Sequence, residues 1–426
     1  MMSGPGIGVG LRPAGPAKWW PDGAQFAADF ISRRFMSLQR PCALEEVLDF
    51  ARPSPATAMN AQGQCLVFAP DAARLTADGL LIEAEATNVL RKSSGLADSS
   101  AWNAEGYAAT TGNTRNFGAL VLEECAVTSP APFPKFRSLD TLSLSDGEYG
   151  VVSFFAVAGT SGPLRTHVSE GAGNTATSSE VSGDAFSKGA IVENNSSVTQ
   201  YVSDGMENFG NGLYRLWTVF RNVSGSVQTY QAVPHIQGTG GVPAMVSACW
   251  MGGHQLEKGR WPTSLILTSG APETRAADSV TVLAEAAGLG SAPSVALSAR
   301  WLGGHPDEPW LLSLNDGTAD NEMGVYLTTG AIGIHCTVTA DGVEQASNGV
   351  SLSDLSHGDR IAFALAINDS QIYARHNGGS IVESGYSEVD IPTITQMQVG
   401  RGQTSMSSGM VLESLVVGST ASTDLT

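Results

Sequence analysis

The chain has 426 residues and carries 23 Lys and Arg against 41 Asp and Glu, a formal net charge of −18. That length allows two to three domains, and the acidic balance argues against a binder of nucleic-acid backbone. Charged residues make up only 15%, too few to clothe long surface helices, while 49 Gly and 20 Pro beside 42% apolar residues suit a turn-rich all-β protein.

The first ~45 residues differ from the rest. Gly4, Gly6, Gly8 and Gly10 alternate with Pro5, Ile7 and Val9, and Trp19, Trp20 and Pro21 follow. No strand precedes these glycines and no Lys-Ser/Thr follows, so a phosphate-binding loop is rejected. A flexible arm with an aromatic anchor is expected, and Trp19 and Trp20 would dock either on a neighbouring subunit or on their own domain. From about residue 50 the pattern is short strands. Gln64–Phe68 follows the turn signal Asn60–Gly63, and Leu80–Glu85 puts Leu81, Glu83 and Glu85 on one face. Thr141–Ser145, the Asp146-Gly147 dipeptide and Tyr149–Val157 predict a hairpin. Residues 169–198 read as exposed loops joined by a short strand. Leu213–Arg221, Val227–Val233 and Thr263–Thr268 complete this region.

A second unit is expected from about Asp278. Ser294–Trp301, Trp310–Leu314, Gly324–Leu327, Ile332–Val338, Arg360–Ile367, Gln371–Arg375 and Met397–Val399 read as successive strands. Between them lie turn signals such as Asn315-Asp316-Gly317, Asp341-Gly342 and Asn377-Gly378-Gly379. Such spacing means a β-sandwich or barrel. Met410–Gly418 is the last strand, expected to pair back near residue 280. No run approaches the ~20 apolar residues of a membrane span, and no basic-then-apolar leader is visible at the start. Cys42, Cys65, Cys125, Cys249 and Cys336 show no C-x-x-C spacing and read as buried reduced thiols.

Four segments carry a resemblance. They are Leu48–Gly63 (LDFARPSPATAMNAQG), Gly79–Leu90 (GLLIEAEATNVL) with Ala101-Trp102, Gly210–Trp217 (GNGLYRLW), and Trp250–Ser264 (WMGGHQLEKGRWPTS) running on to Thr274–Asp278 (TRAAD). In this order they resemble a family of tailed-bacteriophage structural proteins, the head-spike and tail-fibre type with lectin-like jelly rolls. The resemblance frames residues 48–278. Residues 279–426 are similar to the concanavalin- or laminin-G-like sandwich that often follows in that family, by strand pattern alone. Ala86 stands where the family often has Arg, and Leu265 where it has Tyr. The resemblance implies a virion component that binds a host surface, and names no catalytic residue.

Candidate sites follow from residue chemistry. Glu83 and Glu85, roughly 7 Å apart along an extended strand, have the makings of a glycosidase pair, but a structural contact of Glu83 with a base such as Arg275 is the stronger expectation. The seven histidines are isolated, with no H-x-x-x-H or H-E-x-x-H, and no G-x-S-x-G occurs. Asp316, Asp320 and Glu322 pack oxygen donors into one loop, a possible Ca²⁺ site without EF-hand order; no other cofactor is expected. Pyranose rings stack on Trp or Tyr while amides and carboxylates bond their hydroxyls, and Trp102, Trp217, Trp250, Trp261, Trp301, Trp310, Tyr326 and Tyr373 are the aromatic pool for such contacts. Trp301 and Trp310, flanking His305, Asp307 and Glu308, therefore form the candidate carbohydrate site, with Trp217 and Trp250 assigned to core.

The expected architecture is all-β: an N-terminal arm (1–47), a spike- or fibre-type sandwich (48–278) and a second antiparallel jelly-roll-like sandwich (279–426). The expected function is a head-spike or tail-fibre component, located in the virion and assembled in the bacterial host cytoplasm, that adheres to host surface polysaccharide and is not an enzyme. A purely structural decoration or spike-base protein is the alternative, and a polysaccharide depolymerase a further one. Expected partners are other virion proteins (capsid, portal or tail), further copies in a trimer or pentamer, and the host polysaccharide, but neither nucleic acid nor membrane. Trp19 and Trp20 are the expected attachment residues.

Overall fold

A computed structural model describes residues 18–106, 108–129, 134–157, 164–170, 174–182, 187–188, 197–236, 249–283, 285, 288, 294–304, 309–328, 333–351, 355–368, 371–376, 382–385, 392–401 and 408–418. The protein is all-β, with antiparallel strands and the short 3-10 turn Leu44–Glu46. Among the described residues no helix is long and apolar enough to cross a membrane.

The strands form two jelly-roll-like sandwiches, in which the chain passes repeatedly from one sheet to the other. One is continuous in sequence, from Trp102–Glu105 to Cys249–Lys258, and pairs an eight-stranded with a six-stranded sheet. Its central strand Tyr149–Val157 is apolar at nearly every position because both faces are covered. Val152, Phe154 and Ala156 face the opposing sheet, while Phe155 and Val157 lie under the hairpin Ala56–Met59/Cys65–Phe68 and the segment around Leu265. This central place overrides the predicted hairpin. Leu142–Leu144 pairs with Gln228–Ala232 in the other sheet, and the Asp146-Gly147 turn, with Gly147 at φ 82°, becomes a corner between sheets. The stretch 169–198, expected as exposed loops joined by a short strand, holds the nine-residue strand Asn174–Ser182, which pairs with Leu164–Glu170.

The second sandwich is assembled from both ends of the chain. Ser408–Gly418 pairs with Ala24–Asp29 on one side and Ser294–Gly304 on the other, and also with Leu80–Ile82. Ser279–Leu283 pairs instead with Gln396–Val399 and Leu48–Ala51, so the last strand does not return to residue 280. Residues 24–47 are thus part of this sandwich and not an arm, and the continuous sandwich is an insertion within it. The cause is the period-two spacing of Phe26, Ala28 and Phe30, which places all three in the core with Leu415 and Val417. Trp19 and Trp20 close over the outer face of the same sheet, against Ala24, Ala27 and Met36. Trp20 Nε1 donates to Gln39 Oε1 at 3.0 Å, and the Arg34 guanidinium lies 4.9 Å from the Trp19 ring.

A buried charge cluster ties the crossings between the two sandwiches. Arg52, Arg74 and Arg275 are at most 1% exposed, and Glu83 and Asp278 at most 4%. Arg74 Nη1 donates to Glu83 at 2.6 Å and its Nη2 to Asp278, while Arg52 Nη1 reaches Asp278 at 3.0 Å. Three guanidiniums face two carboxylates, and the surplus donors go to the carbonyls of Ser54, Ala69, Thr57 and Ala84. Burial alone would raise the Glu83 carboxyl; Arg275, Arg74 and the Ser264 donors reverse that and hold it at about 2. The expected Glu83–Arg275 contact exists at 3.7 Å, but Arg74 is the closer partner. Glu83 and Glu85 do not form a pair of equivalent carboxylates: the strand ends at Ile82, Glu83 is buried and Glu85 is exposed. The cysteines are free thiols, four buried and Cys42 half-buried.

Candidate carbohydrate-binding face

In the seven-stranded sheet of the second sandwich, alternation assigns the two faces. Met323, Val325 and Leu327 on one strand, and Ile334, Cys336 and Val338 on the next, enter the core. Tyr326 and His335 therefore point outward, and register sets Trp310 opposite Tyr326, Tyr326 opposite His335, and His335 opposite Gly349. The result is a row of three half-buried rings across three strands. Trp310 and Tyr326 have centroids 5.3 Å apart, and Tyr326 and His335 5.9 Å, with interplanar angles of 36° and 32°.

Two glycines let the rings lie on the sheet. A Cβ on Gly324 would meet the Trp310 ring at 2.0 Å, and one on Gly349 would meet His335 Nε2 at 2.7 Å. Beside the rings runs a polar chain. Gln396 Nε2 donates to Asn315 Oδ1 at 2.8 Å, Asn315 Nδ2 to Ser313 Oγ at 2.7 Å, and Ser313 Oγ to Glu322 Oε1 at 2.5 Å. Gln398 sits opposite Ser313, and its Oε1 has no hydrogen-bond partner among the described residues. Ser313 and Asn315 are fully buried, so this chain braces the face, and the half-buried rings are the surface it offers to a ring-shaped ligand with an apolar C–H face.

The sequence-expected residues separate in space. Trp310 belongs to this face. Trp301 does not: it is 6% exposed, packed in the core on a strand of the opposite sheet. Its alternation with Leu297 and Ala299 carries the ring inward, so the two tryptophans do not bracket one loop site. His305, Asp307 and Glu308 lie outside the described residues. The three proposed Ca²⁺ ligands do not converge. Asp316 turns back to accept from Thr318 N and Oγ1 and from Asn321 Nδ2, hydrogen bonds that hold its carboxyl below the usual range. Asp320 is exposed, and Glu322 is buried on the sheet face beside Ser313. Among the described residues no group of three His, Cys, Asp or Glu side chains is placed to hold a metal ion. Tyr326 was in the aromatic pool read from sequence; His335 and Gln398 were not singled out, although both fall at outward positions of predicted strands. Trp217 is buried as expected, whereas Trp250 is half-buried with the Arg115 guanidinium 4.3 Å from its ring.

No family model matches the chain. No curated protein matches it either. Among solved structures it is similar to the CBM40 module of a Ruminococcus gnavus IT-sialidase bound to α2,6-sialyllactose, at 17% identity and TM-score 0.26, over 31% of this chain and 79% of that one. A leech intramolecular trans-sialidase matches at 18% identity and TM-score 0.26, over 31% of this chain and 22% of that one. Sheep galectin-11 matches at 13% identity and TM-score 0.23, over 32% and 93%.

Proposed function

We propose that this protein is a virion component, a head spike or tail fibre, whose outer sheet face grips the surface polysaccharide of a bacterial host without cleaving it. The observation that carries the adhesive part is the Trp310–Tyr326–His335 row with its flanking amides. The virion assignment is supported by the four segments that resemble spike and fibre proteins. Several of their residues form the buried framework between the sandwiches, Arg52, Glu83, Arg275 and Asp278, with the half-buried Ser264 bonded to Glu83. A framework of this kind keeps sheet faces rigid, which lowers the ordering cost of binding. Each grip would be weak, and copies in a trimer or pentamer on one particle would add through effective concentration.

Replacing Trp310 with Ala is expected to weaken binding to immobilised host polysaccharide by about tenfold or more, with the melting temperature little changed because the ring lies outside the core. Gly324→Ala should act in the same direction by lifting the Trp310 ring off the sheet. Biolayer interferometry on both variants checks this; unchanged affinity in both would remove the face from the account. Release of reducing ends from the polysaccharide by the wild-type chain would contradict binding without cleavage.

A further inference from the structure

The seam between the sandwiches holds a cavity of about 120 Å³ that the adhesive face does not use. A buried water needs roughly 10–15 Å³ of such space, so the cavity has room for roughly ten waters or for the atoms of one pyranose ring. Its walls come from both sandwiches. Phe155, Phe209, Pro262 and Leu302 supply apolar surface, and the Phe155 and Phe209 rings stand 5.7 Å apart. Arg215, itself 4% exposed, lies on this wall with its guanidinium 5.3 Å from the Phe155 ring. Thr263 O at 2.6 Å and Ser153 Oγ at 2.9 Å fix it there.

Two further carboxylates line the space, and they differ. Asp78 is paired with Arg300 at 2.8 Å. Glu207 is solvent-exposed, yet its carboxylate has no hydrogen bond and no ion pair among the described residues. An unpartnered acceptor beside stacked apolar walls is complementary to a ligand with hydroxyl donors on its edge and C–H groups on its face. Arg215 has its Nη1 and Nη2 bonded to the protein and its Nε without a hydrogen-bond partner among the described residues, and the acidic lining residues Glu83, Asp78 and Glu207 disfavour a free anion beside it.

The geometry points to this cavity as a second saccharide site, one that takes a single uncharged pyranose unit with Glu207 accepting from its hydroxyls. The site is independent of the outer sheet face, and the two fail separately. The test is saturation-transfer NMR on the full chain with methyl α-glucopyranoside, methyl α-galactopyranoside, methyl α-mannopyranoside and N-acetylglucosamine. At least one should bind, with affinity reduced about tenfold in Glu207→Gln, since hydrogen bonds to a charged acceptor are the strong ones. Asp78→Asn, at an exposed position, should also weaken binding, and it serves if the Glu207 variant fails to fold. Trp310→Ala should leave this binding unchanged. Binding by none of the four sugars, equal binding by Glu207→Gln (or by Asp78→Asn where the former does not fold), or loss of binding in Trp310→Ala would each overturn the site.

Discussion

Lowering the pH from 7 towards 4 is expected to unfold the inserted sandwich. His254 is 1% exposed, wedged between Trp102 and Phe154 at centroid distances of 4.9 and 5.6 Å, and burial drives its pKa down to about 3. His167 and His235 stack at 4.8 Å, 4% and 5% exposed. Burial, with Lys135, Arg165 and Arg137 near, takes His167 to about 3, and burial with His167 and the same bases depresses His235 too. Neither ring nitrogen of His235 has a hydrogen-bond partner among the described residues. Each folded pKa lies below the unfolded value of 6.5, so the unfolded chain takes up the proton first. Stability is therefore full above about pH 6.5 and falls as pH drops towards 3, by about 1.4 kcal/mol per pH unit for each histidine and ~4 for the three. Glu83, held at about 2, withdraws its own contribution below about pH 4.5. Urea denaturation at half-unit steps from pH 7.5 to 4 checks this. His254→Leu should flatten the slope by about a third, and a profile flat from 7 to 4 would mean that these rings already carry protons when folded.

Breaking the charge cluster at the crossings should cost nearly as much. Arg74 serves both Glu83 and Asp278 and also bonds Thr57 O and Ser264 Oγ. Arg74→Met leaves two buried carboxylates short of a partner, in a place where Arg52 and Arg275 are already committed. A loss of about 3–5 kcal/mol is expected, as for other buried pairs stripped of one member. Arg34→Met, which removes a pair with a half-exposed partner, should cost under about 1 kcal/mol. Chemical denaturation of both variants separates the cases; an Arg74→Met chain within 1 kcal/mol of wild type would show that the cluster is replaceable by packing. The Glu83 and Asp278 positions stand on opposite sides of the insertion, so the same variant should also loosen one sandwich from the other.

Legibility in the sequence varied with the range of the interaction. Runs such as Gly324–Leu327 and Ile332–Val338 announced strands, because a short apolar run between turn residues is a local property. The pairing of Ala24–Asp29 with Ser408–Gly418 was invisible, since no local signal links positions nearly the whole chain apart. Tyr149–Val157 showed its apolar run, but not that both faces would be covered, so its partner strand was misread. Trp301 and Trp310 looked alike as tryptophans flanking one loop. One residue's difference in strand parity sends the first into the core and leaves the second outside. His335 carried a signal that was available, an outward position next to a predicted Tyr strand, yet a lone histidine gives no reason to prefer it until register sets it beside Tyr326. Arg74 fell between the familiar segments, and only the fold shows it at the centre of the charge cluster.

The most direct test is a crystal structure of the full chain soaked with an oligosaccharide cut from the host's surface polysaccharide. Sugar rings lying along Trp310, Tyr326 and His335 are the expected result. Well-ordered saccharide bound elsewhere with that row bare, or crystals that take up none while the same oligosaccharide competes for the protein in solution, would contradict it.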